Sequence, residues 1–130
     1  MLTQILFVSR ISPLTTDLDI RSIVASSEIH NRRNDVTGAL IRSGRCFAMV
    51  LEGRKRPVDQ TMQRIQRDQR HCDIRVISKK NITLRQFARW PMGRLCRDDI
   101  ELAIEKLLDA TQGVGMGSQA LTKFLLEGDE

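Results

Sequence analysis

Apolar and polar positions alternate between two rhythms along this chain. Residues 4–9 form a short apolar stretch that Ile11-Ser12-Pro13 breaks, which predicts a buried strand followed by a loop. Thr15 or Thr16 can then cap a helix whose core-facing residues Ile20, Ile23, Val24 and Ser27 recur at three- and four-residue steps, ending near His30-Asn31. Residues 36–42 and 46–52 are two strand-like runs, and Ser43-Gly44-Arg45 between them has hairpin length, with a glycine free to take positive φ. Pro57 suits the first position of a second helix, and Val58, Met62 and Ile65 share a face of it to about Asp68. Residues 73–78 read as a fourth strand. Residues 87–95 read as a fifth, and Pro91 places that one at an edge or a bulge.

The order βαββαββ predicts an α+β fold: a ferredoxin-like sandwich with two helices on one face of a five-stranded mixed sheet. Its core is expected to bury Leu6, Ile20, Val24, Leu40, Leu51, Val58 and Met62 together between helices and sheet. Two short amphipathic helices follow. One carries Ile100, Ala103, Ile104, Leu107 and Leu108, the other Leu121, Phe124 and Leu125, and both are expected to cover the open sheet face. The domain division is therefore 1–95 for the sandwich and 96–130 for a helical cap of the same domain.

Composition narrows the function classes. The 130 residues, 41% hydrophobic and 28% charged, suit one globular domain, and no apolar run approaches the roughly 18 residues of a membrane span. The first residues lack a signal peptide's basic start and cleavage site, and three widely spaced cysteines suit a reducing compartment, so the expectation is a cytoplasmic protein with free thiols. A net charge of +5 raises the question of nucleic acid. The basic clusters Asn31-Arg32-Arg33, Arg54-Lys55-Arg56 and Lys79-Lys80 are short and fall where turns are expected. With only four Phe, one Trp and no Tyr to stack bases, they read as solvated loop charge. No Gly-rich phosphate loop, Cys-x-x-Cys pair or His-Glu-x-x-His helix is present, which gives little support for an enzyme, and His71-Cys72 lacks the further ligands a metal needs.

One set of motifs carries more. Ser26-Ser27 with His30-Asn31, Val36-Thr37-Gly38-Ala39-Leu40, Phe47 followed by Leu51-Glu52-Gly53, the run from Arg64 to His71, and Arg85-x-Phe87-x-x-Trp90-x-Met92 occur in this order. Together they resemble the BLUF family of blue-light-using flavin sensors, over residues 2–95. The resemblance implies FAD lying between the two helices, with Asn31 hydrogen-bonding the polar edge of its ring, His30 at an often polar position, and Arg64 and Asp68 near the ring carbonyl and the tail. An amide suits Asn31 to that task because it offers both an acceptor and a donor. Read without the family, Asn31 caps a helix and Arg64 pairs with Asp68 at the surface.

Two departures from the family pattern bear on function. Where the family has a tyrosine on strand one and a glutamine on strand three, this chain has Phe7 and Met49. The resemblance implies a light cycle in which the tyrosine gives up an electron and a proton and the glutamine then rearranges its hydrogen bonds to the ring. Phe7 has no hydroxyl, and Met49 offers a weak acceptor and no donor. Two readings stay open: a regulator that keeps FAD without the light switch, and a flavin-free interaction module whose cleft is filled by apolar side chains. Both imply a protein partner, and the family implies a homo-oligomer; neither a membrane nor nucleic acid is expected as partner.

Overall fold

The computed structural model describes residues 1–87, 93–96 and 101–109. The elements are β1 (Leu2–Ile11), α1 (Asp17–Arg33), β2 (Thr37–Ser43), β3 (Cys46–Arg54), α2 (Lys55–Gln66), β4 (His71–Ile82), β5 (Gly93–Cys96) and α3 (Glu101–Asp109). The strands form one mixed sheet in the order β4-β1-β3-β2-β5, antiparallel except for the β2–β5 pair. This is the expected α+β, ferredoxin-like class.

Local chemistry explains the boundaries. At the start of α1 the Thr16 hydroxyl accepts from the Asp19 amide at 3.1 Å and the Asp19 carboxylate accepts from the Thr16 amide at 2.9 Å, a reciprocal capping box. The helix outruns the expected end by a turn: Asn34, not Asn31, caps it, donating from Nδ2 to the His30 carbonyl at 2.7 Å. Pro57 falls in the first turn of α2 rather than at its first residue, where its missing N–H still costs nothing. Gly44 turns the β2–β3 hairpin at φ 58°. Gly38 is needed for a different reason, since a Cβ there would run into the Val50 carbonyl oxygen of the neighbouring strand.

Alternation along the central strands divides the interior into two cores. Ile5 and Phe7 of β1, Leu40 of β2, and Phe47, Met49 and Leu51 of β3 face α1 and α2, where they meet Ile20, Val24, Val58, Met62 and Ile65. Leu6, Val8, Ala39, Ile41, Cys46, Ala48 and Val50 face the other way, against Phe87 and Ile104 of α3. The single core expected from the sequence is thereby corrected: Leu6 is buried, but one residue out of phase with its supposed partners. α3 covers the second face as expected, with Ile104 buried and Leu108 partly so. Ile100 and the helix expected around Leu121, Phe124 and Leu125 lie outside the described residues.

Strand β4 is twice the length anticipated, and Lys79-Lys80 sit within it rather than in a turn. The fifth strand is shorter than expected, starting at Gly93 at the sheet edge, and Phe87 precedes it. What fixes the Phe87 segment is Glu52. Its carboxylate is fully buried and accepts from Gln4 Nε2 at 2.8 Å and from the backbone amides of Gln86 and Phe87 at 3.1 and 2.7 Å. On the same side Arg10 ties α3 to the sheet, donating to Asp73, Glu105 and Asp109 at 3.0, 2.7 and 2.8 Å. The Cys46 thiol donates to Glu105 at 3.2 Å, and burial, with Glu105 beside it, pushes its pKa up to about 12. Glu52→Ala leaves the buried Phe87 amide and the partly buried Gln86 amide without an acceptor and is expected to lower stability by about 3 kcal/mol. Glu52→Gln keeps an acceptor and should lose less, and denaturant midpoints of the two variants check both.

Candidate functional site

The inner face of α1, the C-terminal half of α2 and the sheet between them enclose a cleft. α1 contributes Ile23, Ser26 and Ser27, β2 contributes Leu40, and β3 contributes Phe47 and Met49. Arg64 and Ile65 of α2, then Asp68, Arg70 and His71 at the start of β4, close it. The chain reaches this geometry because Thr15 Oγ1 and the Ser12 amide both bond the Arg70 carbonyl, at 2.8 and 3.0 Å, tying the start of α1 to the α2–β4 turn.

Of the residues singled out from the sequence, Arg64 and Asp68 line the cleft. Asn31 is completely buried one turn beyond Ser27 on the same face of α1, and His30 is half-buried beside it. Arg64 and Asp68 are not partners. Asp68 is held by Arg70, whose Nη2 and Nε donate to it at 2.7 and 2.9 Å and whose amide donates at 3.0 Å. That bond keeps the Asp68 carboxyl below its usual range and raises the Arg70 guanidinium. Arg64 is left with buried Nε and Nη2 atoms that have no hydrogen-bond partner among the described residues. Burial lowers its pKa, with Asp68 opposing and Arg70 reinforcing the shift.

Sequence reasoning missed Ser27, Phe47, Arg70 and His71 as parts of one wall. The buried His71 ring is fixed at both nitrogens. Nε2 lies 2.8 Å from the Ile65 carbonyl, which can only accept, so in the neutral ring Nδ1 accepts from the Ser9 hydroxyl at 2.9 Å. Phe47 meets that ring edge-on at 6.5 Å. Ser27 had read as one more core-facing position of the helix. Arg70 and His71 stood inside the motif already noted, and only the tight α2–β4 turn shows that they double back on Asp68 and Ile65.

Phe7 and Met49 are register partners across β1 and β3 and point to the same core. Met49 lines the cleft and Phe7 is sealed at 0% exposure beside it. Trp90 and Met92 lie outside the described residues.

The Arg64 donors at the cleft fit an oxygen-rich ligand edge, since burial has stripped their N–H groups of water. Its space is small. The cavity is about 30 Å³, against roughly 300–1,000 Å³ for pockets that enclose drug-sized ligands, too little for a ring system with the lining side chains where they stand.

His30 carries the titration expected of this site. Burial, then the positive charges of Arg64 and Arg33, hold its pKa below the ordinary histidine value. A histidine depressed in this way is neutral at pH 7, where it neither adds nor removes stability, and it destabilises the fold as the pH falls below about 6.5, because the unfolded chain then binds a proton that the folded ring resists. Arg64→Gln is expected to raise the His30 pKa, though not fully to 6.5, because burial is the larger cause; NMR titration of the ring protons measures both.

Residues 2–93 match the model of the family described as sensors of blue-light using FAD, BLUF. The photo-activated state of BlsA is 25% identical with a TM-score of 0.82, over 97% of this chain and 95% of that one. The dark-state structure of the BLUF protein BlrB is 25% identical with a TM-score of 0.80, over 97% and 96%. Photoactivated adenylate cyclase subunit beta of Euglena gracilis is 29% identical over 76 residues, 58% of this chain but 9% of that protein's length. A sandwich of this topology, with the cleft between its two helices and the motifs in family order, belongs to the BLUF family.

Proposed function

We propose that this chain is a BLUF regulatory domain that holds FAD between α1 and α2, lacks the family's light switch, and signals by contact with a protein partner. Residues 1–95 form the sensor in this reading, and α3 begins its cap. The observation that carries the reading is Arg64, whose desolvated Nε and Nη2 line the cleft unpartnered among the described residues. A buried guanidinium calls for acceptors, and the carbonyl edge or phosphates of a flavin nucleotide supply them. Asn31 and His30 would complete the polar rim, with Asp68 holding Arg70 in place.

Bound flavin supplies absorption of blue light; the residues that convert absorption into a signal are absent. Phe7 has no hydroxyl proton to release and Met49 no donor to turn towards a carbonyl. An absorption spectrum of freshly purified protein, followed by release and identification of any chromophore, tests the binding. A yellow protein supports it, and colourless protein that takes up no added flavin overturns it.

A second reading, a flavin-free interaction module, draws on the 30 Å³ cavity and on the thioether and phenyl groups that stand where polar side chains would contact the ring. Colourless protein favours it.

If flavin binds, Asn31→Ala is expected to weaken it by about 1–3 kcal/mol, measured by fluorescence titration, because polar ring atoms lose a buried partner. Blue illumination of the loaded wild type is expected to give no reversible red shift of flavin absorption. Phe7→Tyr alone buries a hydroxyl against Met49, and Met49→Gln alone buries an amide against Phe7, so each should cost about 1–3 kcal/mol of stability. The double change gives each group a partner directly across the ladder. Its loss should therefore fall short of the sum, with a coupling of about 0.5–3 kcal/mol, and it alone has the parts to restore a red shift. A wild-type red shift that decays in the dark would overturn the assignment of Phe7 and Met49 as unable to switch.

A further inference from the structure

Helix α1 carries apolar residues on two opposite sides. Ile20, Val24, Ser27 and Asn31 face the core. On the far side Leu18 is 73% and Ile29 56% exposed, and Ser22 and Ala25 are exposed between them. Positions 18, 22, 25 and 29 are spaced by four, three and four residues, the rhythm of a helix–helix seam. Large side chains at the ends and small ones in the middle allow a second helix to approach closely at its centre.

The charges beside this stripe decide what fits it. Along one border run Asp17, Arg21, Glu28 and Arg32, in the order negative, positive, negative, positive. Read backwards, the order inverts. A second α1 laid antiparallel therefore sets Arg21 against Glu28 and Asp17 against Arg32, each pair occurring twice by symmetry, while Leu18 meets Ile29 and Ser22 meets Ala25 in the seam. The two helix dipoles then oppose, which is also favourable. Among the described residues, Arg21, Glu28 and Arg32 make no ion pair within the chain, and Asp17 reaches only Arg42, at 2.9 Å.

We propose that the outer face of α1 is a self-association surface, on which a second copy of this chain packs its own α1 antiparallel about a twofold axis. The pairing does not depend on whether flavin is bound. A seam confined to one helix of 17 residues lies at the small end of specific interfaces, which bury about 1,200–2,000 Å² when stable. The dimer therefore dissociates on dilution.

Sedimentation equilibrium of the full chain over a concentration series tests this, with circular dichroism confirming that each surface variant stays folded. Wild type is expected to show a monomer–dimer equilibrium. Glu28→Arg brings arginine against Arg21 twice and should weaken the dimer roughly tenfold or more, and Ile29→Glu should abolish it. Combining Arg21→Glu with Glu28→Arg exchanges the signs and should restore association close to wild type, a recovery that loss of fold could not give. A wild type that stays monomeric throughout, a dimer indifferent to Glu28→Arg and Ile29→Glu, or a double exchange that fails to recover would each overturn the proposal.

Discussion

Strand β3 has almost no solvent side: every residue from Cys46 to Gly53 is buried. A strand buried on both faces must satisfy two cores at once, and its period of two assigns each residue to one of them without choice. Phe47, Met49 and Leu51 therefore belong to the helices and the cleft, whereas Cys46, Ala48, Val50 and Glu52 belong to α3 and the segment that carries Phe87. A slip of one residue would drive the Glu52 carboxylate into the helix-facing core and leave the amides of Gln86 and Phe87 facing an apolar wall. The strand's register, the placing of the cleft and the docking of the cap are thus one constraint.

That constraint explains how much could be read beforehand. The helix stripes of α1 and α2 and the β2–β3 hairpin were legible because each pairs a plain rhythm with a punctuating residue, such as Thr16 or Gly44. The two-core division was not, because Leu6 and Phe7 are equally apolar and hydropathy cannot say which side of the sheet either faces. The length of β4 escaped for the opposite reason. It is an edge strand whose side chains are largely exposed, so Lys79 and Lys80 look like turn residues although their backbone pairs with Ile5 and Gln4.

At the site, the order of motifs singled out Arg64, Asp68, Asn31 and His30, of which the fold brings Arg64 and Asp68 to the cleft wall, and the replacement of two side chains was visible in the bare sequence. What could not be read was who bonds whom. A spacing of four residues suggested that Arg64 pairs with Asp68, yet the turn after α2 brings Arg70 back to claim the carboxylate with several hydrogen bonds. That turn therefore decides which arginine keeps its Nε and Nη2 without a hydrogen-bond partner among the described residues, and here it is Arg64.

Strand β4 departs twice from regular pairing with β1, at Ile77 between the Leu6 and Phe7 pairs, and opposite Ser9, where Asp73 takes φ 54°. Each extra residue bends the strand and breaks the even row of outward amides and carbonyls that a long edge would otherwise offer. A neighbouring chain cannot extend the sheet along an edge that is out of step with any straight strand, and the ammonium groups of Lys79 and Lys80 discourage it further. The irregularity thus works as protection against fibre-like stacking along this edge strand.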